Sequence, residues 1–292
     1  MNGMPRRLSW IASVVVSGMV LVLSTRVGHV EGQPAEISST ATAACIRDPQ
    51  CHRLMVVAHR AKGVGAPENS REAVRRCIEA GEPLVNIDLR RSRDGQLFVI
   101  HDGTLQRTTT LRGRIETMPS KKLIQARLLN GERLPRFEQI YGISRGRAVL
   151  VLNFKAEADA LERVADWIGV EGSFDDVIFF VKTGEEMEAA ARARHRHPAM
   201  LVMVRLLDTR VTVESTRAAF RGQLPEIFHT DVVDRREVLR LHALGVKVYM
   251  SALSAERYIQ PLGYLLTGSI LQASPDFLQT DAPLSVMRRV GG

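Results

Sequence analysis

Aromatic residues make up only 5% of this 292-residue sequence, and just two are tryptophan. Proteins that bind single-stranded nucleic acid stack bases on aromatic rings along a basic groove, so this scarcity argues against a nucleic-acid partner. Cysteine is also rare. Cys45, Cys51 and Cys77 are the whole set, and no spacing among them suggests a zinc site. No internal repeat or low-complexity run is present, which sets aside repeat architectures. Charge of one sign is not in large excess either: 40 Lys and Arg stand against 32 Asp and Glu, a net +8. Arg6, Arg7 and Arg26 against Glu31 supply two of those charges, so roughly +6 belongs to the rest of the chain. That mild excess suits a phosphate-bearing ligand or an anionic membrane surface.

Residues 1–32 stand apart. Arg6 and Arg7 precede the apolar run Leu8–Leu23, and small and polar residues follow. This is the layout of a secretory signal. An uncleaved anchor is the alternative, although the run falls short of the about 20 residues that a span needs. Either reading predicts an exported protein, whether periplasmic, secreted or membrane-anchored. Residues 33–52 read as a polar linker and 53–292 as the folded domain. Cys45 and Cys51 flank IRDPQ and would close a small loop in an oxidising compartment. Cys77 falls on a helical stripe with Ala73, Val74 and Ile78, and reads as a buried thiol.

The chain is organised around Leu54 to Thr110. Two apolar runs there end in histidine, Val56-Val57-Ala58-His59 and Leu97-Phe98-Val99-Ile100-His101, and a third ends in Asp88. Buried strands that finish in chemical groups place them at one edge of a parallel sheet, where α/β barrels keep their active sites. Beyond residue 147, strands and helices alternate. LMVVA, LVNID, AVLVLNF, VIFFV, LVMVRL, EIFH, VKVYM and FLQTD make eight strands. Eight parallel strands with right-handed crossovers favour a closed (β/α)8 TIM barrel over an open sheet. Gln96–Ile100 would be an extra strand, and residues 111–147 have helical spacing, with Leu123, Ala126 and Leu129 on one side. Leu134–Ile140 reads as a helix started by Pro135.

Several pieces in this stretch, taken in order, resemble the glycerophosphodiester phosphodiesterase family: His59-Arg60, Pro67-Glu68-Asn69-Ser70, Asn86-Ile87-Asp88, Asp94-Gly95, His101-Asp102 and Arg107-Thr108-Thr109. With Gln279-Thr280-Asp281-Ala282-Pro283 the resemblance spans about residues 54–286. It implies that His59 and His101 are the general acid and base. Imidazole exchanges protons near neutral pH, and phosphodiester cleavage needs both roles. The sequence does not assign one role to each. Arg60 and Lys155 offer positive charge for a phosphoryl group, as a fork and a point charge respectively. Glu68 is placed to pair with Arg60, orient His59 or reach a metal, and Asp102 to orient an imidazole.

The resemblance also implies a divalent ion, magnesium or calcium, held by three carboxylates. Here those positions read Asn86, Asp88 and Asn153, and only Asp88 is charged. An amide oxygen is a legitimate ligand for a hard cation, but it is neutral. Three accounts stay open: weak metal binding through Asp88, Glu68 and the two amides; a metal-free site in which Arg60, Arg90 and Lys155 take the phosphoryl charge; or loss of catalysis. The fourth and seventh strand ends also depart from the family, at Val181-Lys182-Thr183 and Met250-Ser251-Ala252-Leu253. The expected activity is hydrolysis of glycerophosphodiesters or related lipid head-group diesters, through attack of a neighbouring substrate hydroxyl and a cyclic phosphate. A catalytically silent barrel that binds a phosphodiester or a protein partner is the alternative. Two further motifs read as structural. Gly63-Val64-Gly65 lacks a nucleotide fingerprint, and Arg192–His197 is a basic helix terminus.

Overall fold

A computed structural model describes residues 38–207, 211–253 and 262–290, with no side chains described at 262–266. The expected leader, Leu8–Leu23, lies outside these residues. Among the described residues no helix is long and apolar enough to cross a membrane.

Eight parallel strands close a barrel. β1 (Met55–Ala58), β2 (Leu84–Arg91), β4 (Val149–Phe154), β5 (Val177–Val181), β6 (Leu201–Arg205), β7 (Ile227–His229), β8 (Lys247–Ser251) and β9 (Phe277–Thr280) each pair with the next. β9 and β2 both pair with β1, which closes the ring. β3 (Leu97–Val99) is the extra strand and lies antiparallel on β2. This confirms the (β/α)8 reading.

The strands are β-branched and apolar because both faces are buried. Val57, Leu84, Val151, Ile178, Met203, Ile227 and Phe277 belong to one buried cluster. Alternate residues such as Val85, Leu152, Phe179 and Val202 pack in another, with helix residues including Ala165 and Ala190. Truncating Phe179 to alanine would cost about 3–5 kcal/mol.

Between the strands run α2 (Arg71–Glu79), α5 (Asp159–Glu171), α6 (Gly184–Arg196), α7 (Val213–Ala219), α8 (Arg235–His242) and α9 (Leu262–Ala273), with α3 (Ser120–Leu123) and α4 (Phe137–Ser144) ahead of β4 and α10 (Pro283–Val290) after β9. The start of α2 follows from its sequence. The Ser70 hydroxyl accepts from Ala73 N–H at 2.9 Å, and Ala73, Val74 and Cys77 turn inward. Cys77 is the buried thiol expected, and burial pushes it up to about 12.

Two expectations need correction. The stretch read as a linker contains α1 (Ser39–Arg47), whose Ala43 and Ile46 are buried in the same cluster as the starts of β1, β2 and β4. Ser39 donates to Asp176 and Arg47 to Asp175, and a Cys45–Cys51 disulfide follows. The apolar stripe of α1 is only two residues wide, too narrow to stand out among Ser and Thr. The second concerns 111–147. α3 stops at Leu123, so the helical spacing does not continue. Leu128 is buried with Leu123 and Ala126, while Leu129 is 77% exposed.

Candidate active site

The C-terminal ends of the strands gather the predicted groups. His59 follows β1, and its Nδ1 lies 2.6 Å from Oδ1 of Asp281, which follows β9. A carboxylate accepts only, so Nδ1 carries the proton and Nε2 is the acceptor atom. Arg60 Nε donates to that Nε2 at 3.2 Å. His101 repeats the arrangement: its Nδ1 lies 2.7 Å from Asp102 Oδ1. Each ring is fixed by its own carboxylate; Nε2 of His59 accepts from Arg60, while the carboxylate at His101 Nδ1 leaves Nε2 as that ring's acceptor atom.

A continuous chain of polar contacts joins the two. Arg60 Nη1 donates to Glu68 Oε1 at 3.2 Å, Arg107 Nη2 donates to the same oxygen at 2.7 Å, and Arg107 Nε donates to Asp102. Burial raises the Glu68 carboxyl, but Arg107, Arg60 and Lys62 outweigh it and hold it below its ordinary value. Arg107 likewise holds Asp102 well below the carboxylate range. Burial opposes, but His59 and Lys62 hold Asp281 low. For His101, burial pushes the imidazole down, and Asp102 and Asp88 only partly offset it. His101 is accordingly neutral at neutral pH.

Backbone strain marks the same place. Arg60, Ala61 and Asn69 have φ of 54°, 54° and 57°, left-handed values that L side chains other than Asn rarely adopt. Such conformations cost about 1–3 kcal/mol each and persist where the surroundings enforce them. Asn69 N–H donates to the Arg60 carbonyl at 2.7 Å, which locks the loop. Gly63 closes it from the other side. A Cβ there would meet the Asp281 carbonyl and Pro283 Cδ at 2.6 Å, so only glycine lets the β1 loop lie on the β9 loop. This explains the glycine without any phosphate cradle.

The carboxylate of Asp88 is fully buried on β2, and nitrogen surrounds it. Asn153 Nδ2 donates to Oδ1 at 2.8 Å, Asn69 Nδ2 to Oδ2 at 3.1 Å, and Arg60 Nε lies 3.5 Å away. Lys155 is within electrostatic reach. Burial lowers its ammonium and Asp88 opposes that shift. Asn86 is not brought to Asp88. Its amide donates to the Val151 carbonyl at 3.2 Å, and its oxygen faces Gln279, one layer deeper in the barrel. Arg90 does not point freely at the site either: Nε donates to the His101 carbonyl at 2.7 Å and Nη1 to Glu116. Glu68 pairs with Arg60 as expected and is not bonded to His59.

Four site residues escaped a role in the sequence reading: Asp281, Asn69, Arg107 and Lys62. Asp281 stood in a recognised motif 222 positions from His59, and only the pairing of β1 with β9 brings them together. Asn69 offered the best signal, since asparagine tolerates a left-handed backbone.

A (β/α)8 barrel with two carboxylate-held imidazoles and cationic side chains at its C-terminal rim is a barrel built for proton transfer beside an anion. Residues 59–259 match the glycerophosphoryl diester phosphodiesterase family, and the chain belongs to that family. A glycerophosphodiester phosphodiesterase of Caldanaerobacter subterraneus subsp. tengcongensis is 31% identical over 106 residues, 34% of this chain and 44% of the relative. This match thus spans less than half of that curated relative's length. Among solved structures, a glycerophosphoryl diester phosphodiesterase of Parabacteroides distasonis superposes with a TM-score of 0.71 at 21% identity, covering 88% of this chain and 93% of its own. An Oleispira antarctica phosphodiesterase in complex with the product sn-glycerol-3-phosphate gives 0.66 at 19%, covering 84% and 99%.

Members of this family generally use a divalent metal ion. The residues around Asp88 do not fit one. A cation of the magnesium or calcium kind wants several oxygen ligands with net negative charge. Here one carboxylate is already taken by two amide N–H donors and approached by a guanidinium. Glu68 is held by two arginines. Among the described residues, the group of metal-binding type is instead His52, His242 and Asp276, at the opposite end of the barrel.

Proposed function

We propose that the chain hydrolyses glycerophosphodiesters, with His101 as general base and His59 as general acid. The unbroken chain Asp281–His59–Arg60–Glu68–Arg107–Asp102–His101 carries this reading, because it fixes two imidazoles with reactive Nε2 atoms around one cationic rim. His101, kept neutral by burial, takes the proton of a substrate hydroxyl. That oxygen attacks phosphorus, the bond to the leaving alcohol breaks, and a second proton, carried on His59 Nε2 once that atom turns from Arg60 to the substrate, passes to the departing oxygen. A cyclic phosphate results, and water opens it with the roles reversed. Arg60 and Lys155 take the developing phosphoryl charge, a task for which preorganised donors in a low-dielectric site are effective.

The product complex of the Oleispira relative supports glycerol phosphate as the part recognised. The leader pattern and the Cys45–Cys51 disulfide support export, where lipid-derived diesters and anionic membrane surfaces are at hand. The amide-filled surroundings of Asp88 favour a second reading, binding without turnover. One assay separates the two. Purified protein in chelator is offered glycerophosphocholine, and release of glycerol phosphate is followed. Turnover in chelator supports the catalytic reading, turnover only with added magnesium or calcium overturns the metal-free role of Arg60 and Lys155, and binding of sn-glycerol-3-phosphate without turnover leaves the silent barrel.

A further inference from the structure

We propose that His52, His242 and Asp276 bind a zinc-type dication at the N-terminal end of the barrel, remote from the catalytic rim. His52 lies in the segment entering β1, Asp276 immediately precedes β9, and His242 ends α8. Their ligand atoms all lie within 4.8 Å of one another. The catalytic groups leave the other ends of the same strands, so Asp276 and Asp281 are separated by roughly 16 Å of extended chain.

The donor chemistry selects the ion. Two imidazoles and one carboxylate suit zinc and its borderline neighbours, whereas magnesium and calcium prefer all-oxygen sets. Donor atoms about 2.0–2.2 Å from a tetrahedral ion sit roughly 3.3–3.6 Å apart. His52 Nδ1 and Asp276 Oδ1 are 3.4 Å apart, already at that spacing. His242 Nε2 and Asp276 Oδ2 are 2.7 Å apart, a direct hydrogen bond that an ion would replace.

The site is also built in advance. The Asp276 side chain is only 1% exposed, and its Oδ2 accepts Val248 N–H at 2.7 Å. Its backbone holds β1 and β8 in place through Met55 N–H at 2.7 Å and the Val248 carbonyl at 2.9 Å. His52 follows the disulfide directly, and the Cys51 carbonyl accepts from the Lys247 ammonium. Beside the three lies a cavity of about 340 Å³, also lined by Leu54, Leu271, Ser274 and Pro275. It leaves room for a fourth ligand such as water, the open position of a three-ligand zinc site. As a hydrogen-bonded cluster alone the arrangement is poorly used. His52 is 50% exposed and reaches Asp276 only at the long limit of a hydrogen bond. Lys247 lies within electrostatic reach of Asp276 and weakens any cation there, so affinity falls below that of a closed four-ligand site. An ion at this point would tie the entries of β1 and β9 to the end of α8, where the barrel ring closes.

The test uses the full chain, stripped with chelator and titrated with zinc by calorimetry and thermal unfolding. Zinc should bind in a one-to-one ratio and raise the melting temperature, and magnesium should do neither. His52→Ala removes a half-exposed ligand and should weaken zinc at least tenfold, roughly the loss expected when a zinc site is disturbed. His242→Gln can still donate to Asp276, and should lose zinc while keeping the fold. X-ray absorption of the zinc complex should show two imidazole nitrogens and an oxygen. Glycerophosphodiester turnover of the zinc-free protein should be the same in wild type and His52→Ala, so the result stands apart from the catalytic reading. Zinc binding equally to wild type and both variants, no binding to wild type, or a spectrum without imidazole would each overturn the proposal.

Discussion

At the C-terminal ends of the strands, His59 and His101 each have a carboxylate of their own, at 2.6 and 2.7 Å. At the N-terminal ends, His242 and His52 share Asp276, at 2.7 and 3.4 Å. The residue types are the same and the consequence differs. One carboxylate per imidazole fixes a tautomer and leaves an Nε2 for proton transfer. One carboxylate between two imidazoles gathers three ligand atoms around a point. The surroundings push the same way. The catalytic rim is crowded with Arg60, Arg107 and Lys155, which suit an anion and repel a cation. The opposite end has buried backbone partners around Asp276 and one ammonium, Lys247, directed at a carbonyl.

Breaking the catalytic end should give the largest effect. His59→Ala or His101→Ala should each lower kcat/KM at least about 100-fold, roughly 2.7 kcal/mol of transition-state stabilisation, with zinc binding unchanged. Wild-type-like turnover of glycerophosphocholine by either variant would remove the assignment. In the wild type, the acid limb of the kcat/KM profile should lie below the ordinary imidazole value of about 6.5. His101 must be neutral to act as base, and burial lowers its affinity for protons. An acid limb above that value would reverse the two roles.

Asp281→Asn probes the pairing itself. An amide removes the carboxylate charge that supports the protonated ring a general acid must reach. A loss of about 10–100-fold in kcat with little change in KM is expected, because the substrate phosphate is held elsewhere. A proportionate loss of thermal stability without a change in the pH profile would make Asp281 a structural group.

The third prediction asks whether the catalytic rim can be made to resemble the other end. Asn153→Glu should raise affinity for magnesium or calcium about tenfold or more, since it replaces the amide that donates to Asp88 with a charge that attracts the ion by several kcal/mol before dehydration is offset. Calorimetry reads this directly. Unchanged affinity would show that Arg60, Asn69 and Lys155 keep Asp88 to themselves.

The gathering of His59, Arg60, His101 and Asp102 at the C-terminal rim was legible in the sequence because their motifs are contiguous. His59-Arg60 and His101-Asp102 place partner groups side by side, and apolar runs announce the strands that carry them. Reading failed where partners meet only through the barrel. Asp281 is positioned by β9 against β1, and His52, His242 and Asp276 join across 224 residues with none of the short spacings that mark a metal motif. Asn86 was read as a ligand because the resemblance puts a metal carboxylate two residues before Asp88. Two residues along a strand are also about 6.6 Å, enough to put it in the layer of Gln279.

The last prediction takes the comparison to the dry side of the molecule. Glu82 precedes β2 at the N-terminal end, is fully buried, and neither carboxylate oxygen has a hydrogen-bond partner. Burial raises it from 4.5 to about 8. A group whose folded pKa is raised favours the folded state fully below its unfolded value. That contribution is lost as pH climbs through about 8, because folding must then hold a proton that the unfolded chain has released. Glu82→Gln cannot ionise and escapes the loss. Its melting temperature should exceed that of the wild type by several degrees at pH 8.5 and by little at pH 5, where the wild-type carboxyl keeps its proton on folding. Catalysis should be untouched, since Glu82 lies at the far end of β2 from Asp88. The same difference at both pH values would place a partner or water at Glu82. A fall in turnover would show that the two ends of the barrel are coupled after all.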